Sequence, residues 1–331
     1  MRAPEFWQAG AGGLSSALLT PAAWLYAAGA SLRRACTAPW RAPVPGSCVG
    51  NLVAGGAGKT PIALDLGTRL VEGAMAAHFL TRGYGGKISG PHRVDPEHDQ
   101  AADVGDEPLL LARAAPTWVA RDRAAGARAA CAAGASAIVM DDGFQNPGLI
   151  QDLSFLVVDG AYGFGNGRLL PAGPLRESIA AGLGRASALV MLGDDETGLL
   201  AQIANMPKPP PVLRARAVAG PEAMVLAGEP MVAFAGIGRP EKFFDTLRNL
   251  GCPLKGSKAF ADHHPYTLAE LDELRAQAKA LDAQLLTTTK DWIRIPPAWR
   301  SGIVALTIVI EWQDESALYD LLEPFREGPE Q

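Results

Sequence analysis

Residues 53–60 read V-A-G-G-A-G-K-T. It nearly matches the phosphate-binding loop G-x-x-x-x-G-K-[ST], but Val53 stands where the first glycine is usual. A short apolar run precedes it over 47–52, and helical apolar spacing follows it over 62–70. Because a phosphate loop requires a strand before it and a helix after it, this context predicts a nucleotide site. The alternative is a glycine-rich turn with a surface lysine.

Each residue type in this stretch suits a phosphate. The glycines let backbone N–H groups converge, since no Cβ opposes a positive φ. Lys59 supplies a cation for the β- and γ-phosphates, and the Thr60 hydroxyl supplies a ligand for Mg²⁺. The expected nucleotide-binding residues are those of the whole stretch: Val53, Ala54, Gly55, Gly56, Ala57, Gly58, Lys59 and Thr60.

Strands alternate with helices after this loop. Apolar runs at 77–81, 137–140 and 154–158 are predicted as strands, and helical patterns cover 108–114 and 123–133. This alternation predicts the α/β class, with a P-loop NTPase-like core built on a parallel sheet.

The prolines of P-K-P-P-P at 207–211 give the strongest domain boundary, because they prevent a helix and stiffen a connector. The α/β pattern restarts beyond them, with strands expected at 231–235 and at 303–310. The predicted organisation is an N-terminal segment belonging to the core, a P-loop core, a linker and a smaller α/β domain, over 1–40, 41–206, 207–220 and 221–331.

Bulk composition excludes several classes of protein. Hydrophobic residues make up 48% and charged residues 20%, which is globular and not disordered. The net charge of −5 disfavours broad nucleic-acid binding. The cysteines lie far apart without C-x-x-C spacing, which indicates a reducing compartment and no zinc ribbon.

The N-terminus carries no charged residue over 6–32, and arginines follow at once. A signal peptide needs a more basic start than Arg2 beside Glu5 provides. A transmembrane helix needs about 20 strongly apolar residues, and Gly, Ser, Thr and Pro21 dilute this stretch. Leucines at helical spacing, nearby aromatic rings and the arginines favour a helix lying in a membrane interface. A helix buried in the protein's own core is the remaining alternative.

Two acidic pairs are candidates for metal or proton chemistry. An apolar strand ends in Asp141 and Asp142, where P-loop proteins place a carboxylate directed at Mg²⁺. Asp106 and Glu107 stand just before a proline, which suits either the acidic start of a helix or a base with a metal-directed carboxylate. Residue chemistry alone leaves both interpretations open.

Three further motifs carry candidate side chains. The motif D-H-H-P contains His263, which is either a tuned acid–base group or part of a helix-capping loop. An irregular loop rich in Gly and Pro carries Arg168 and Arg176, which either hold an anion or are solvated. The motif R-G-Y-G-G offers Tyr84 for stacking or substrate contact.

Together these stretches resemble the tetraacyldisaccharide 4′-kinase family of lipid A biosynthesis. The family's loop has the form G-G-x-G-K-T-P, so Val53 is no departure from it, whereas Ala57 stands where members often carry a hydroxyl residue. The matching motifs run in family order from about 40 to 295: G-N-L-V-A-G-G-A-G-K-T-P, T-R-G-Y-G-G, G-D-E-P, D-D-G-F-Q, N-G-R-L-L-P-A-G-P-L-R-E, A-F-A-G-I-G-R-P-E-K-F-F, D-H-H-P-Y and T-T-T-K-D-W.

The resemblance implies an activity and a location. The γ-phosphate of ATP would go to the 4′-hydroxyl of a tetraacylated glucosamine disaccharide 1-phosphate, giving lipid IVA. The enzyme would be a peripheral protein at the cytoplasmic face of the bacterial inner membrane, contacting it through the N-terminal helix. We expect a monomer with no nucleic-acid partner.

The resemblance also implies roles for individual residues. Asp106 would accept the hydroxyl proton and His263 would orient Asp106; because they lie on either side of the proline break, domain closure would assemble the site. The expected Mg²⁺ ligands come from the set Thr60, Glu107, Asp141, Asp142 and Gln145. Further substrate or phosphate contacts are expected from Tyr84, Arg123, Arg168 and Arg176.

Two other functions share part of this pattern. A membrane-docked P-loop ATPase switch that regulates a partner would need the loop and the acids, but neither Asp106 nor His263. A P-loop kinase for a soluble small molecule would leave the apolar N-terminus unexplained. Transfer of labelled phosphate into a lipid A precursor separates all three functions.

Overall fold

A computed structural model describes residues 4–327, apart from the side chains of Pro324, Arg326 and Glu327. The strands are β1 (Gly46–Gly50), β2 (Ala77–Thr81), β3 (His92–Arg93), β4 (Thr117–Val119), β5 (Ala137–Asp141), β6 (Leu153–Asp159), β7 (Ala188–Leu192), β8 (Val212–Ala219), β9 (Met231–Ala235), β10 (Leu254–Ala259), β11 (Gln284–Thr288), β12 (Ile303–Leu306) and β13 (Ile308–Trp312). The α-helices are α1 (Gly13–Ala35), α2 (Lys59–Glu72), α3 (Ala101–Val104), α4 (Asp106–Leu111), α5 (Arg123–Ala132), α6 (Ile179–Leu183), α7 (Leu199–Ala204), α8 (Ala223–Leu226), α9 (Pro240–Asn249), α10 (Leu268–Ala280), α11 (Thr289–Arg294) and α12 (Glu315–Glu327).

The larger sheet has nine strands in the order β13-β8-β7-β6-β1-β5-β2-β4-β3. Its inner strands run parallel, and the edge strands β13 and β3 run antiparallel to their neighbours. Strands β1, β2 and β5 are buried along their whole length, which explains why they are continuous apolar runs without alternation. The predicted fold class, a P-loop-like α/β core, is confirmed.

The sheet topology bears on the predicted nucleotide site. From β1 the chain proceeds to β2 and β5 on one side, and it then crosses to β6 on the other side. Ligands of such sheets bind at the carboxyl ends of the strands, where the strand order reverses. The loop between β1 and α2 lies at this point, next to the acidic ends of β5 and β6.

A second, smaller unit contains a four-stranded parallel sheet in the order β10-β9-β11-β12. Apolar side chains pack on both faces of this sheet, and the helices α9 and α10 contribute to them. Within residues 4–327, the chain passes between the two units at two places, after β8 and before β13.

The predicted domain boundaries differ from this arrangement. The predicted linker 207–220 contains β8, which is a strand of the core sheet, and β13 and α12 return to the core although they were predicted within 221–331. The strand predicted over 303–310 is two strands in different sheets. They separate at Thr307, whose N–H donates to Glu222 at 2.5 Å and whose carbonyl accepts from Gly220 at 2.8 Å. Residues 328–331 of the predicted second domain lie outside the described part.

The two units contact each other through α11 and α4. Ile293 of α11 is buried with Val104 and Leu109 of the core. The guanidinium groups of Arg113 and Arg300 both lie over the Trp292 ring, at 4.8 Å and 4.2 Å from its centre. Because Arg113 belongs to the core, this helix joins the two units directly.

Helix α1 presents a large apolar surface to solvent. Leu18 is 73% exposed and Leu25 is 76% exposed, whereas the short side chains of Ser16 and Ala23 are buried. The Ser16 hydroxyl donates to the carbonyl of Ala172, which fixes the helix to the core. The alternative interpretation, that this helix is buried in the protein's own core, is therefore wrong. No helix of the described residues has the length and apolarity needed to cross a membrane.

Candidate active site

The loop between β1 and α2 forms an open cradle. Gly55 and Gly58 both have positive φ angles, of 134° and 80°. A Cβ on Gly58 would fall 2.3 Å from Leu192, so this glycine permits close packing against β7. A Cβ on Gly55 or Gly56 would meet no atom of the described chain within 4 Å. The backbone at Gly55 and Gly56 therefore borders open space of the kind that an anion needs.

The first residues of the predicted loop make contacts within the protein. Val53 is buried and pairs with Leu175 in a short antiparallel bridge. The Ala54 N–H, one of the predicted phosphate donors, donates instead to the carbonyl of Pro174 at 2.7 Å. The side chain of Ala57 is buried as well. These contacts attach the start of the loop to the segment around Pro174 and Leu175. Val53 packs in the protein interior, at the position where the usual pattern has glycine.

Thr60 and Asp141 form the buried base of the cradle. The Thr60 hydroxyl donates to Asp141 Oδ2 at 2.9 Å, while Asp141 Oδ1 is buried with no hydrogen-bond partner among residues 4–327. Burial, with the nearby charge of Glu107, raises the pKa of Asp141 well above its usual range. A divalent cation would supply the missing partner and the missing charge, so this hydroxyl and carboxylate fit Mg²⁺.

The protein alone offers few ligands for that cation. Among the described side chains there is no group of three or more His, Cys, Asp or Glu that could hold a metal ion. This is compatible with Mg²⁺, which usually takes one or two carboxylates and completes its shell with substrate phosphates and water. The cradle therefore suits a cation that arrives with a nucleotide.

Asp142, the second acid of the pair, is held by cations. Its Oδ1 accepts from Arg176 at 2.7 Å and lies 3.8 Å from the Lys59 ammonium. Burial alone would raise the pKa of Asp142, but Lys59 and Arg176 outweigh burial and lower it. Asp142 is therefore ionised and holds the two cations at the mouth of the loop.

The two other predicted metal ligands have protein partners. The Gln145 side chain donates to Glu177 at 3.0 Å. Glu107 pairs with Lys290 of α11 at 3.3 Å. Of the predicted metal ligands, Thr60 and Asp141 contact each other directly. Gln145 and Glu107 instead contact other protein side chains.

Asp106 and His263 meet across the two units, although they are 157 residues apart. Nδ1 of His263 lies 2.8 Å from Asp106 Oδ2. His263 has a φ of 58°, which is uncommon for a residue with a side chain, and its N–H donates to Gly236 at 3.0 Å. The hydrogen bond to Asp106 raises the pKa of His263. The fold therefore holds the imidazole against the carboxylate from a constrained turn.

Gly105 fixes the position of Asp106 on the core side. It has a φ of 95°, and a Cβ there would fall 2.5 Å from the Tyr84 carbonyl oxygen. The motifs R-G-Y-G-G and G-D-E-P thus pack backbone against backbone, and glycine is required at the contact. The Tyr84 side chain itself is 76% exposed.

Sequence reasoning missed Arg294. Its Nε donates to Asp106 Oδ2 at 2.6 Å, and its Nη1 donates to the buried Asp291 at 2.9 Å. Burial would raise the pKa of Asp106, but the hydrogen bond from His263 and the charge of Arg294 outweigh burial and lower it. A signal existed, because the polar pair K-D in T-T-T-K-D-W directly follows an apolar strand and Arg294 comes one helical turn later.

The remaining predicted arginines occupy two places. Arg123 is 4% exposed near Asp142; its Nε has no partner in the described structure, and burial lowers its pKa to about 10. Arg168 donates to the Thr20 hydroxyl of α1 at 3.2 Å. Arg123 thus belongs with Arg176 beside the phosphate loop, and Arg168 belongs with the N-terminal helix.

Comparisons with known proteins show the family of this chain. A family model described as "Tetraacyldisaccharide-1-P 4'-kinase" matches residues 15–325. A tetraacyldisaccharide 4′-kinase of Rhodospirillum centenum is 55% identical and covers 99% of this chain and 98% of its own length. One of Gluconacetobacter diazotrophicus is 54% identical, with 98% of each covered.

A solved structure gives the same result. The crystal structure of LpxK from Aquifex aeolicus in complex with ATP superimposes with a TM-score of 0.74 at 26% sequence identity. The match covers 94% of this chain and 99% of the other. The chain belongs to the tetraacyldisaccharide 4′-kinase family, as its motifs predicted.

Proposed function

We propose that this site transfers the γ-phosphate of ATP to the 4′-hydroxyl of tetraacyldisaccharide 1-phosphate, with Asp106 as the proton acceptor. An ATP-dependent 4′-kinase activity in lipid A biosynthesis follows from the family to which the chain belongs. The alternative of an ATPase switch is not favoured, because it leaves the contact between Asp106 and His263 without a purpose.

The phosphate loop holds the nucleotide. The open backbone at Gly55 and Gly56 and the start of α2 supply N–H donors for the β- and γ-phosphates. Lys59 and Arg176, which Asp142 keeps together, lie at the same mouth and supply positive charge. Transfer of a phosphoryl group is mainly a problem of positioning and charge neutralisation, so these groups carry much of the catalysis.

Thr60 and Asp141 are the residues that would hold Mg²⁺. When bound, Mg²⁺ would neutralise charge that builds up on the transferring phosphoryl group. Ionisation of Asp141 is opposed by burial until a cation is present, so the carboxylate is best suited to the loaded site. Glu107, Asp142 and Gln145 remain nearby candidates for outer contacts.

The acceptor side is built by Asp106 and His263. A sugar hydroxyl loses its proton as the new bond forms, so an ionised carboxylate within hydrogen-bond reach assists the attack. His263 donates to Oδ2 of Asp106 and holds the carboxylate in one orientation. Because His263 belongs to the second unit, contact between the two units completes the acceptor site.

The observation that carries this proposal is the 2.8 Å contact between Asp106 and His263. Asp106→Asn keeps the shape of the side chain and removes its basicity. It is expected to lower kcat for lipid phosphorylation by about 10²-fold or more, while ATP binding stays close to wild type. Wild-type turnover by Asp106→Asn would exclude the assignment.

We further propose that α1 lies in the membrane interface at the cytoplasmic face of the bacterial inner membrane, where ATP is present. Its exposed leucines, including Leu18 and Leu25, match the acyl region, and Arg33 and Arg34 in its last turn match anionic headgroups. We expect a peripheral monomer, since one chain supplies every residue of the site described above.

Binding of the lipid acceptor is proposed near the same helix. Arg168 contacts α1 through Thr20, so an anionic group of a lipid held at the interface would be within reach of a cation. Equilibrium binding to anionic vesicles, with and without residues 1–35, tests the membrane part of the proposal. Equal binding by the shortened chain would contradict it.

A further inference from the structure

The two oxygens of Asp106 have different surroundings. Oδ2 accepts from His263 Nδ1 at 2.8 Å and from Arg294 Nε at 2.6 Å. Within residues 4–327, no hydrogen bond is made to Oδ1. Two donors from the second unit therefore hold one oxygen and leave the other for an incoming hydroxyl.

Arg294 is itself held in place by a buried acid. Its Nη1 donates to Asp291 Oδ1 at 2.9 Å and to the Gly236 carbonyl at 2.7 Å. Asp291 is fully buried and also accepts from Tyr266 at 2.8 Å and from Thr288 at 2.6 Å. A guanidinium with this many fixed partners has one orientation, in which Nε faces the core.

The same backbone carbonyl joins Arg294 to His263. The Gly236 oxygen accepts both from Arg294 Nη1 and from the His263 N–H, at 3.0 Å. Nη2 of Arg294 also lies 3.4 Å from His263 Nδ1. The two donors to Asp106 are therefore parts of one rigid group and approach the carboxylate together.

From this geometry we infer that Arg294 is a positioning residue, which orients Asp106 so that Oδ1 meets the acceptor hydroxyl. A guanidinium group has N–H donors and no acceptor, so Arg294 cannot take over the role of the base. Its planar fork holds two partners at once, which a lysine ammonium cannot reproduce. The inference rests on the proposed role of Asp106 as proton acceptor.

Contacts other than those of Arg294 also link the two units. The pair Arg239–Asp159, at 2.8 Å, and the pair Lys290–Glu107, at 3.3 Å, also connect them. Ile293 adds buried apolar contact. What distinguishes Arg294 from these contacts is its hydrogen bond to the Asp106 carboxylate, which forms when the second unit is in contact with the core.

A double-mutant cycle tests whether Arg294 acts through Asp106. In the full-length protein, kcat for lipid phosphorylation is measured in wild type, Arg294→Ala, Asp106→Asn and the double variant. Arg294→Ala alone is expected to lower kcat by about 10²-fold, with the KM for ATP nearly unchanged, because a small misplacement of a catalytic group has effects of this size. In the Asp106→Asn background the same change should cost less than about threefold.

Two further variants separate positioning from folding or docking. Arg294→Lys keeps the charge and should recover part of kcat, and it replaces Arg294→Ala in the cycle if that variant melts far below wild type. Arg239→Ala removes an ion pair between the units without touching Asp106, and its kcat should stay close to wild type.

Three results would overturn the inference. Losses that multiply in the cycle would show that Arg294 acts independently of Asp106. An equal loss of kcat in Arg239→Ala would assign the effect to docking. Wild-type turnover by Asp106→Asn would remove the premise that Asp106 is the proton acceptor. It would refute that role, but not the contact between Arg294 and Asp106.

Discussion

The hydrogen bond from His263 to Asp106 can be removed with little disturbance of the backbone. His263 has a φ of 58°, a conformation that asparagine tolerates better than alanine. His263→Asn therefore removes the imidazole without adding the strain that His263→Ala would add. The variant is expected to bind ATP like wild type and to phosphorylate the lipid slowly.

The size of the loss follows from the contact. A hydrogen bond to a charged group contributes about 1.5–3 kcal/mol, and His263 donates to a carboxylate at 2.8 Å. Each 1.36 kcal/mol of lost transition-state stabilisation is about tenfold in rate. The expected fall in kcat is therefore about 10-fold to 10²-fold.

The neighbouring His264 provides a matched control. It contacts Glu270 at 3.0 Å and stacks on the Phe260 ring at 4.6 Å, away from Asp106. His264→Asn makes the same chemical change one position along the chain. Its kcat should stay near that of wild type, although its melting temperature is expected to fall slightly.

The assay measures transfer of ³²P from labelled ATP into the lipid at saturating concentrations of both substrates. Nucleotide binding is measured separately with a fluorescent ATP analogue. If His263→Asn and His264→Asn turn over equally, or if His263→Asn loses ATP binding together with kcat, the proposed orientation of Asp106 by His263 is refuted.

Other predictions concern pH, the metal and the membrane. The partner carboxylate raises the pKa of His263, so its contribution to stability is full below pH 6.5 and is lost as the pH rises through the raised pKa. The melting-temperature gap between wild type and His263→Asn should therefore shrink from about pH 6 to about pH 9; a constant gap would contradict this. Asp141→Asn should lower Mg²⁺-dependent turnover by about 10²-fold or more. Because burial raises the pKa of Asp141, ionisation destabilises the fold above pH 3.8, so this variant should also melt higher than wild type in EDTA at about pH 8. Equal melting temperatures at that pH would show that ionisation of Asp141 does not destabilise the fold. Leu18→Glu and Leu25→Glu should melt normally but bind anionic vesicles about 10-fold more weakly, since each removes an exposed apolar side chain from the contact; the exposed Leu281→Glu on the second unit should bind as wild type does.

Local patterns were sufficient to predict the elements that surround the proposed nucleotide site. The apolar run, the glycines and the helical spacing around 53–60 correspond to β1, the loop and α2. Strands β2 and β9 have the predicted bounds. These features depend on neighbours in the sequence, because a buried parallel strand and a glycine loop each have a short-range pattern.

The division into units could not be predicted in the same way. The apolar residues on both sides of Thr307 form one continuous run, yet the chain leaves one sheet and enters another at this residue. Both strands need apolar side chains, so periodicity does not mark the change. The prolines at 207–211 come directly before β8, which is a strand of the core sheet. The boundary predicted from them was therefore too early in the chain.

The acceptor side depends on contacts between distant parts of the chain. Asp106 and Arg294 are 188 residues apart, and neither residue type indicates the other. The resemblance to a family singled out Asp106 and His263 but carried no role for Arg294. The buried Asp291 explains why the arginine has a fixed place, and its burial is a property of the assembled fold.

Phosphorylation of a lipid hydroxyl with Asp106 as the base can be measured in one experiment. Wild type and Asp106→Asn are incubated with γ-³²P-labelled ATP, Mg²⁺ and tetraacyldisaccharide 1-phosphate, and the labelled lipid is quantified. We expect label in the lipid for wild type and about 10²-fold less for Asp106→Asn at equal nucleotide binding. Release of labelled inorganic phosphate without labelled lipid, or equal transfer by both proteins, would contradict it.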